Sequence, residues 1–388
     1  MSPTQSTSES TLMYFYPRIR KSPYFEATQR YGATAYNVYN HMYHPICYQD
    51  PVSEYWKLVN EVTVWDVAVE RQVEITGPDA YAFTNQLTPR DLSKCKVGQC
   101  MYVIITDENG GIINDPVLAR LGENHFWLAL ADSDLLLWAK GVALGSGLNV
   151  HICEPDVSPL QVQGPKSKAV MEALFGAKIR ELPYYHLRET DLDGIPVVVT
   201  RTGWSGEVGY EIYLRDGSRG LELWEKLMEA GRSHNISPVA PSEIRRIEAG
   251  ILNYGADMTL ENNPFEVGLD RLVDLDKKAD FIGKDALHRI KAEGIQRKLV
   301  GVEIDGPAMP GHGHNQNRWS VYQERRKVGD VVDAIFSPRL EKNIGYAMLA
   351  IEHTALGTAL MTRAPWGETR VTVVAKPFVD PKKEIPRG

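Results

Sequence analysis

Long apolar runs are missing from this 388-residue chain: nowhere do about 18 apolar residues follow one another, so no membrane-spanning helix is expected. Cysteine is scarce. Cys47, Cys95, Cys100 and Cys153 form no Cys-x-x-Cys pair and no zinc-like spacing, and they read as reduced thiols of a cytoplasmic protein rather than as disulfides. Positive charge is outweighed, 43 Lys and Arg against 50 Asp and Glu, and a net charge of -7 argues against nucleic acid as the main partner. Residues 1–11 are rich in Ser and Thr but lack a basic region followed by an apolar one, so they read as a solvated tail with no secretion signal. No serine-nucleophile elbow and no recognisable cysteine nucleophile is present, so covalent catalysis is not suggested. No repeat with a period of about 20 to 50 residues is visible.

What remains is an ordinary globular composition, 43% hydrophobic and 24% charged, on a chain long enough for two or three domains with cores of their own. Helical and strand patterns mix without strict β-α alternation, which predicts an α+β fold rather than a doubly wound parallel sheet. Short helices are expected at Pro51–Asn60 and Gly77–Gln86, with a strand at Arg71–Ile75 between them. Strands are expected at Tyr102–Thr106, Ile112–Arg120 and Phe126–Ala131, the last two joined at Gly122-Glu123-Asn124 in a hairpin. Gly220–Arg232 places Leu221, Trp224, Leu227, Met228 and Gly231 on one helical face, with Trp224 in the core. Short strands at 300–304, 343–348, 359–362 and 369–375 predict an all-β barrel or sandwich. The division that follows is a tail and lead-in over 1–35, an α+β region over 36–296, a C-terminal β-barrel over 297–378 and a tail over 379–388.

The densest chemistry lies in Arg201-Thr202-Gly203-Trp204-Ser205-Gly206-Glu207-Val208-Gly209-Tyr210-Glu211-Ile212, where glycines that permit close backbone approach sit between two strand-like runs. It is no phosphate loop or dinucleotide fingerprint, because no Gly-Lys-Ser/Thr follows and it leads into a strand. Taken alone it is also compatible with a bulged hairpin. His41-x-x-His44 and His312-x-His314 lack a third ligand at a familiar spacing, and no metal is expected. Trp65, Trp127, Trp138, Trp204, Tyr102 and Tyr210 would suit a flat ring or a methylated cation, although core packing accounts for most aromatics.

In order along the chain, Val64-Trp65-Asp66-Val67, Gly110-Gly111-Ile112-Ile113-Asn114-Asp115, Val162-Gln163-Gly164-Pro165, the Arg201–Ile212 segment, and Arg246-Ile247-Glu248-Ala249-Gly250 with Tyr254-Gly255 resemble the folate-dependent T-protein (aminomethyltransferase) family of the glycine cleavage system. The resemblance runs from about residue 36 to 377. Within the family it is closer to the tetrahydrofolate-dependent demethylases of dimethylsulfoniopropionate, through Trp65 to Val73, with Glu70 inside that run, and through Leu87 to Leu92, Ala131 to Leu136 and Ser337 to Leu340. It implies a three-domain cloverleaf, two domains α+β and the third a C-terminal barrel, around a central folate site.

The resemblance implies that Asp115 is the catalytic acid beside the reactive folate nitrogen, its partner acid having become Asn114, and that Glu211 binds the pterin. A carboxylate suits that role, since it accepts paired hydrogen bonds from the ring's amino group and adjacent N–H. Trp204, in place of the family's tyrosine, and Tyr102 complete the expected cofactor site; Trp204, Trp65 and Glu70 are expected at the methyl donor. Ser242 stands where aminomethyltransferases carry arginine, and the family's Asn near Leu130 is missing, which tells against glycine cleavage. The Gly206-Glu207 pair and Trp204 also depart from the sulfonium demethylases. The implied reaction moves a methyl group from a small methylated donor to tetrahydrofolate; a sulfonium or ammonium donor leaves neutral and needs no general acid, whereas an O-methyl donor needs one. An aminomethyltransferase and a non-catalytic folate-binding protein are the alternatives, and a monomer or homodimer is expected.

Overall fold

The computed structural model describes residues 18–309 and 318–388; the expected tail at 1–11 and His312-x-His314 lie outside the described residues. Three sheets organise the chain, each around its own core. The first has six strands in the order Leu187–Leu192, Ile195–Thr200, Gly209–Leu214, Ser158–Gln163, Thr63–Asp66 and Ser237–Pro238. Its central strands Ser158–Gln163 and Gly209–Leu214 are buried at every position, as strands covered on both faces must be. The amphipathic helix Gly220–Gly231 sets Leu223, Trp224 and Leu227 against one face. Tyr24 and Ala27, at and within the helix Phe25–Arg30, join that core, so part of the lead-in before residue 36 is packed structure.

After Asp66 the chain leaves this sheet, builds a second, and returns at Ser158. The second is antiparallel, ordered His151–Cys153, Gln72–Thr76, His125–Ala129, Val117–Gly122 and Gln99–Tyr102. Where the outgoing and returning segments cross, Arg71 Nε donates to Glu154 Oε1 at 2.8 Å, and Arg20 joins the same carboxylate. The third sheet is a closed barrel of Arg297–Ile304, Lys342–Ala350, Arg326–Ser337, Trp319–Gln323, Ala359–Ala364 and Gly367–Val374. It holds two strands beyond the four read from the sequence. The charged turn Glu324-Arg325-Arg326 hides their hairpin, and a bulge between Val331 and Asp333 shifts the in-out alternation partway along the longer one.

Pro51–Asn60 is a helix as expected, capped by Asp50, whose Oδ1 accepts from the N–H groups of Val52 and Ser53 at 3.1 and 2.9 Å. Two expected strands are each broken in two. Tyr102–Thr106 divides into Gln99–Tyr102 and Ile105–Thr106, and Ile112–Arg120 into Ile112–Asn114 and Val117–Gly122, and in each case the pieces lie in different sheets. Pro116, with no N–H to give a ladder, ends one piece and frees Asp115 from pairing. No helix among the described residues is long and apolar enough to cross a membrane. All four cysteines are free thiols.

Candidate active site

Between the first two sheets, the hairpin Ala35–Tyr39 with Met42–Cys47, and the start of the helix Glu243–Glu248 lies a cavity of about 590 Å³. Its volume falls in the range of pockets that enclose organic cofactors and substrates. Asp115, Glu211, Trp204, Tyr102 and Glu70 all line it.

Strand register builds the polar end. Trp65, Gln161, Glu211 and Thr200 are successive cross-strand partners, and paired residues project from one face of a sheet. Glu211 is therefore held in a row of side chains. Its Oε1 accepts from Gln161 Nε2 at 2.7 Å, and its Oε2 from Thr202 Oγ1 at 2.5 Å and the Tyr213 hydroxyl at 2.9 Å. Burial raises its pKa and these hydrogen bonds pull it back. Oε1, with a single protein donor, keeps acceptor capacity toward the cavity.

Asp115 stands where the chain passes between sheets. The Tyr102 hydroxyl donates to its Oδ2 at 2.8 Å, and burial, only partly offset by that bond, pushes its pKa up to about 7. Glu70, at the other crossing point, is pushed well above the usual carboxylate range by burial and then by the charges of Glu211 and Asp115. These three cavity carboxylates form no ion pair among the described residues.

Asn114 does not face the cavity. It is fully buried, its Nδ2 donating to the Ala131 carbonyl at 3.0 Å and Ser133 Oγ at 2.7 Å while its Oδ1 accepts from the Ala131 N–H at 3.2 Å. Asn40, at the hairpin tip, donates to the same carbonyl at 3.2 Å. A carboxylate at position 114 could accept but not donate, so Asn114→Asp is expected to lose about 1–3 kcal/mol at neutral pH. Its buried acid would have a raised pKa, so the deficit relative to wild type shrinks as pH falls toward 4 and grows as pH rises. Urea midpoints of both proteins at pH 5 and pH 8 check this.

Trp204 is half-buried in the cavity wall, its Nε1 donating to the Leu252 carbonyl at 3.3 Å. Trp65, expected at the donor, does not line the cavity. It is completely enclosed among Leu58, Val67 and Val239 with Trp204 packed over the group, and its Nε1 donates to Thr63 Oγ1 at 2.9 Å. Its row faces the site, but the Trp204 loop covers that end of the row. Gly206 and Glu207 lie outside the main cavity and bind Arg245: Arg245 Nε donates to Glu207 Oε1 at 2.7 Å and Nη2 to the Gly206 carbonyl at 3.0 Å. They serve the fold rather than the donor. Ser242 lines the cavity and caps a helix, its Oγ accepting from the Arg245 N–H at 3.2 Å.

Sequence reasoning missed three parts of the wall. Tyr39 comes from the hairpin, with His44, which was weighed before only as a metal ligand; Arg271 comes from the short 3-10 turn Asp270–Leu272, and Lys383 from the segment read as a tail. Arg271 lies 6.0 Å over the Tyr102 ring. The run Asp380-Pro381-Lys382-Lys383-Glu384 carries the signature of solvated chain, and only its return onto the cavity reveals Lys383.

The chain matches the GCVT N-terminal domain over residues 24–277 and the glycine cleavage T-protein C-terminal barrel domain over 297–380. It is 39% identical to the dimethylsulfoniopropionate demethylase of Ruegeria pomeroyi over 356 residues, covering 92% of this chain and 96% of that protein. With an aminomethyltransferase of Thermoanaerobacter sp. (strain X514) it shares 30% identity over 348 residues, 88% of this chain and 92% of the other. Among solved structures, the glycine cleavage system aminomethyltransferase T of Bartonella henselae superimposes with a TM-score of 0.84 at 24% identity, covering 93% of this chain and 98% of that one. That likeness extends to all three lobes, the cloverleaf of the family.

Proposed function

Because this chain belongs to the glycine cleavage T-protein family, whose members transfer one-carbon groups with tetrahydrofolate, we propose that it moves a methyl group from a methylated onium donor, first of all dimethylsulfoniopropionate, to N5 of tetrahydrofolate. One observation carries the choice of donor: Glu70, Asp115 and Glu211 share a cavity with aromatic rings, and none is neutralised by an ion pair. Burial raises the pKa of all three acids, and a cation set among them favours their ionised forms and is held by them in turn, while the Trp204 and Tyr39 rings add cation-π attraction. The identity to the Ruegeria demethylase points the same way.

The residues fit tetrahydrofolate. Glu211 offers the remaining lone pair of Oε1 to an N–H of the pterin, the cavity has the volume, and Arg271 and Lys383 supply cations for the anionic end of the molecule. Bound there, tetrahydrofolate supplies the N5 lone pair that attacks the methyl carbon. The carbon–sulfur bond breaks with its electrons left on sulfur, so the donor departs as a neutral thioether and no acid is called for. Asp115 faces the positive charge that arrives with the methyl group and takes the proton that is then released, a role its pKa of about 7 suits near neutrality. Tyr102 holds the carboxylate in place by its hydrogen bond.

Anaerobic incubation of the purified protein with tetrahydrofolate and dimethylsulfoniopropionate, followed by liquid chromatography and mass spectrometry, tests the reading. Catalytic 5-methyltetrahydrofolate with methylmercaptopropionate is the expected result. Formation of 5,10-methylenetetrahydrofolate from an aminomethylated lipoyl carrier, with none from onium donors, would instead make the chain an aminomethyltransferase. Glu211→Gln is expected to raise the KM for tetrahydrofolate about 10- to 100-fold, the cost of weakening hydrogen bonds to a charged acceptor, with a smaller change in kcat. Initial rates with tetrahydrofolate varied at saturating donor read this out.

A further inference from the structure

We propose that His44 holds the carboxylate of a zwitterionic, betaine-type onium donor whose methyl-bearing end faces Asp115. The assignment rests on the methyl-transfer reading above. Among the described residues lining the main cavity, His44 alone has buried polar side-chain atoms with no partner: both ring nitrogens are closed off from solvent and neither is hydrogen-bonded. A buried imidazole with both nitrogens unmet is unfavourable, and an apolar ring would fill the space without that cost. His44 lines the cavity with the rest of its side chain, and turning the ring to present a nitrogen to a ligand that brings the missing partner accounts for a histidine here. Burial pushes its pKa down to about 4 with no neighbouring charge contributing, so the ring is neutral when unliganded, with one N–H to give. A carboxylate set against it would draw the proton equilibrium back and complete an ion pair.

The spacing suits such a donor. His44 lies on the strand Met42–Cys47, directly across from Asn37, which also lines the cavity. The Tyr39 ring is its neighbour at 6.0 Å between centroids, and the Tyr39 hydroxyl feels the charges of Glu70 and Asp115. His44 is thus one aromatic ring beyond the carboxylates that attract the onium centre. In a sulfonium joined to a carboxylate by two methylenes the two charges are separated by about 4 Å when extended, enough to pass beside one ring. Of the cavity cations assigned above to the folate's anionic end, Arg271 and Lys383, the first sits over Tyr102.

The test compares His44→Phe and His44→Gln with wild type on dimethylsulfoniopropionate and on its carboxyl methyl ester, following 5-methyltetrahydrofolate. For His44→Phe the expected result is a KM for the zwitterion raised at least about 10-fold, kcat within about threefold, and an unchanged KM for tetrahydrofolate. His44→Gln, which keeps an N–H, recovers part of the loss. The ester, which has no carboxylate to hold, is used equally by wild type and His44→Phe. Equal losses on zwitterion and ester, or no change in KM, overturn the role of His44 while leaving methyl transfer intact. A wild-type enzyme that forms no 5-methyltetrahydrofolate from any onium donor overturns both. Thermal unfolding of the unliganded His44→Phe protein, expected at or above the wild-type temperature, separates a binding defect from a folding one.

Discussion

Asp115→Asn is expected to lower kcat about 100-fold or more while leaving the KM for tetrahydrofolate and donor within a few-fold. Asparagine keeps the shape and can still accept the Tyr102 hydrogen bond. What it removes, on the proposed mechanism, is the negative charge at the methyl-transfer centre and the group that takes up the proton. A carboxylate whose strength is exerted on the transition state rather than on bound substrate shows itself in kcat. The pH profile supplies a second, independent signature. Because the proposed mechanism uses Asp115 ionised, and burial pushes its pKa up to about 7, wild-type kcat/KM should climb with pH through that value, and the limb should vanish in the variant. Stability moves the other way. The folded pKa lies above the ordinary 3.8, so the native state binds more protons than the unfolded one between 3.8 and about 7, and this group's contribution to stability falls as pH rises across that window. Asparagine escapes the penalty, so the variant should melt at or above the wild-type temperature at pH 8. Full turnover by Asp115→Asn in a steady-state assay would remove Asp115 from the chemistry.

The second large effect is expected at Arg246, which fastens the site to the barrel. Its guanidinium is completely enclosed, with Nε donating to Glu243 at 2.7 Å, Nη1 to Asp257 at 2.5 Å and Nη2 to Asp333 on the barrel strand Arg326–Ser337. It also lies 5.7 Å over the Trp204 ring and 5.9 Å over that of Tyr346. Arg246→Met fills much of the same space but strands Asp257 and Asp333 without their cation. Breaking a buried pair in this way costs about 3–5 kcal/mol, mostly the penalty of an uncompensated charge. Urea unfolding should show it as a large drop in midpoint. Burial already raises Asp257 to about 6 with Arg246 present, and removing the arginine raises it further. Since protonation relieves a carboxylate whose folded pKa is raised, the deficit should be smaller at pH 5 than at pH 8. Replacing Asp257 and Asp333 together with Arg246 by apolar residues should recover most of the loss. If the single variant unfolds like wild type, the guanidinium is not the fastening it is taken to be.

Much of this architecture was legible along the chain, and the reasons are local. Asp50 followed by Pro51 marks a helix start wherever the pair meets an apolar periodicity, and the helix is there from Pro51 to Asn60. The helical spacing of Trp224, Leu227 and Gly231 names the buried face of its helix before any packing is seen, whereas Leu221, expected on the same face, is exposed and Leu223 is buried instead. Asp115, Glu211, Trp204, Tyr102 and Glu70 were all named through the family resemblance, and all line one cavity. Trp65 fails for a reason no linear pattern contains: its row faces the site, but the loop carrying Trp204 folds over it. His44 was weighed only as a metal ligand beside His41 and set aside for want of a third ligand, and Lys383 was passed over because it lies in a charged chain end.

The sequence by itself determined the family, the α+β character and the C-terminal barrel, because these follow from periodicity, turn residues and motif order, which are properties of neighbouring positions. The family resemblance also singled out Asp115, Glu211 and Glu70, and these three acids line one cavity. The tertiary structure alone decided how those acids behave. Asp115 is pushed up to about 7 because two sheets meet around it and exclude water, Glu70 is pushed well above the usual carboxylate range first by burial and then by the charges of Glu211 and Asp115 brought near it, and Asn114 works as a clamp because Ala131 presents both an N–H and a carbonyl to its amide. Charge, desolvation and hydrogen-bond partners act through space over a few ångströms, and residues far apart in the chain become neighbours only when the sheets close.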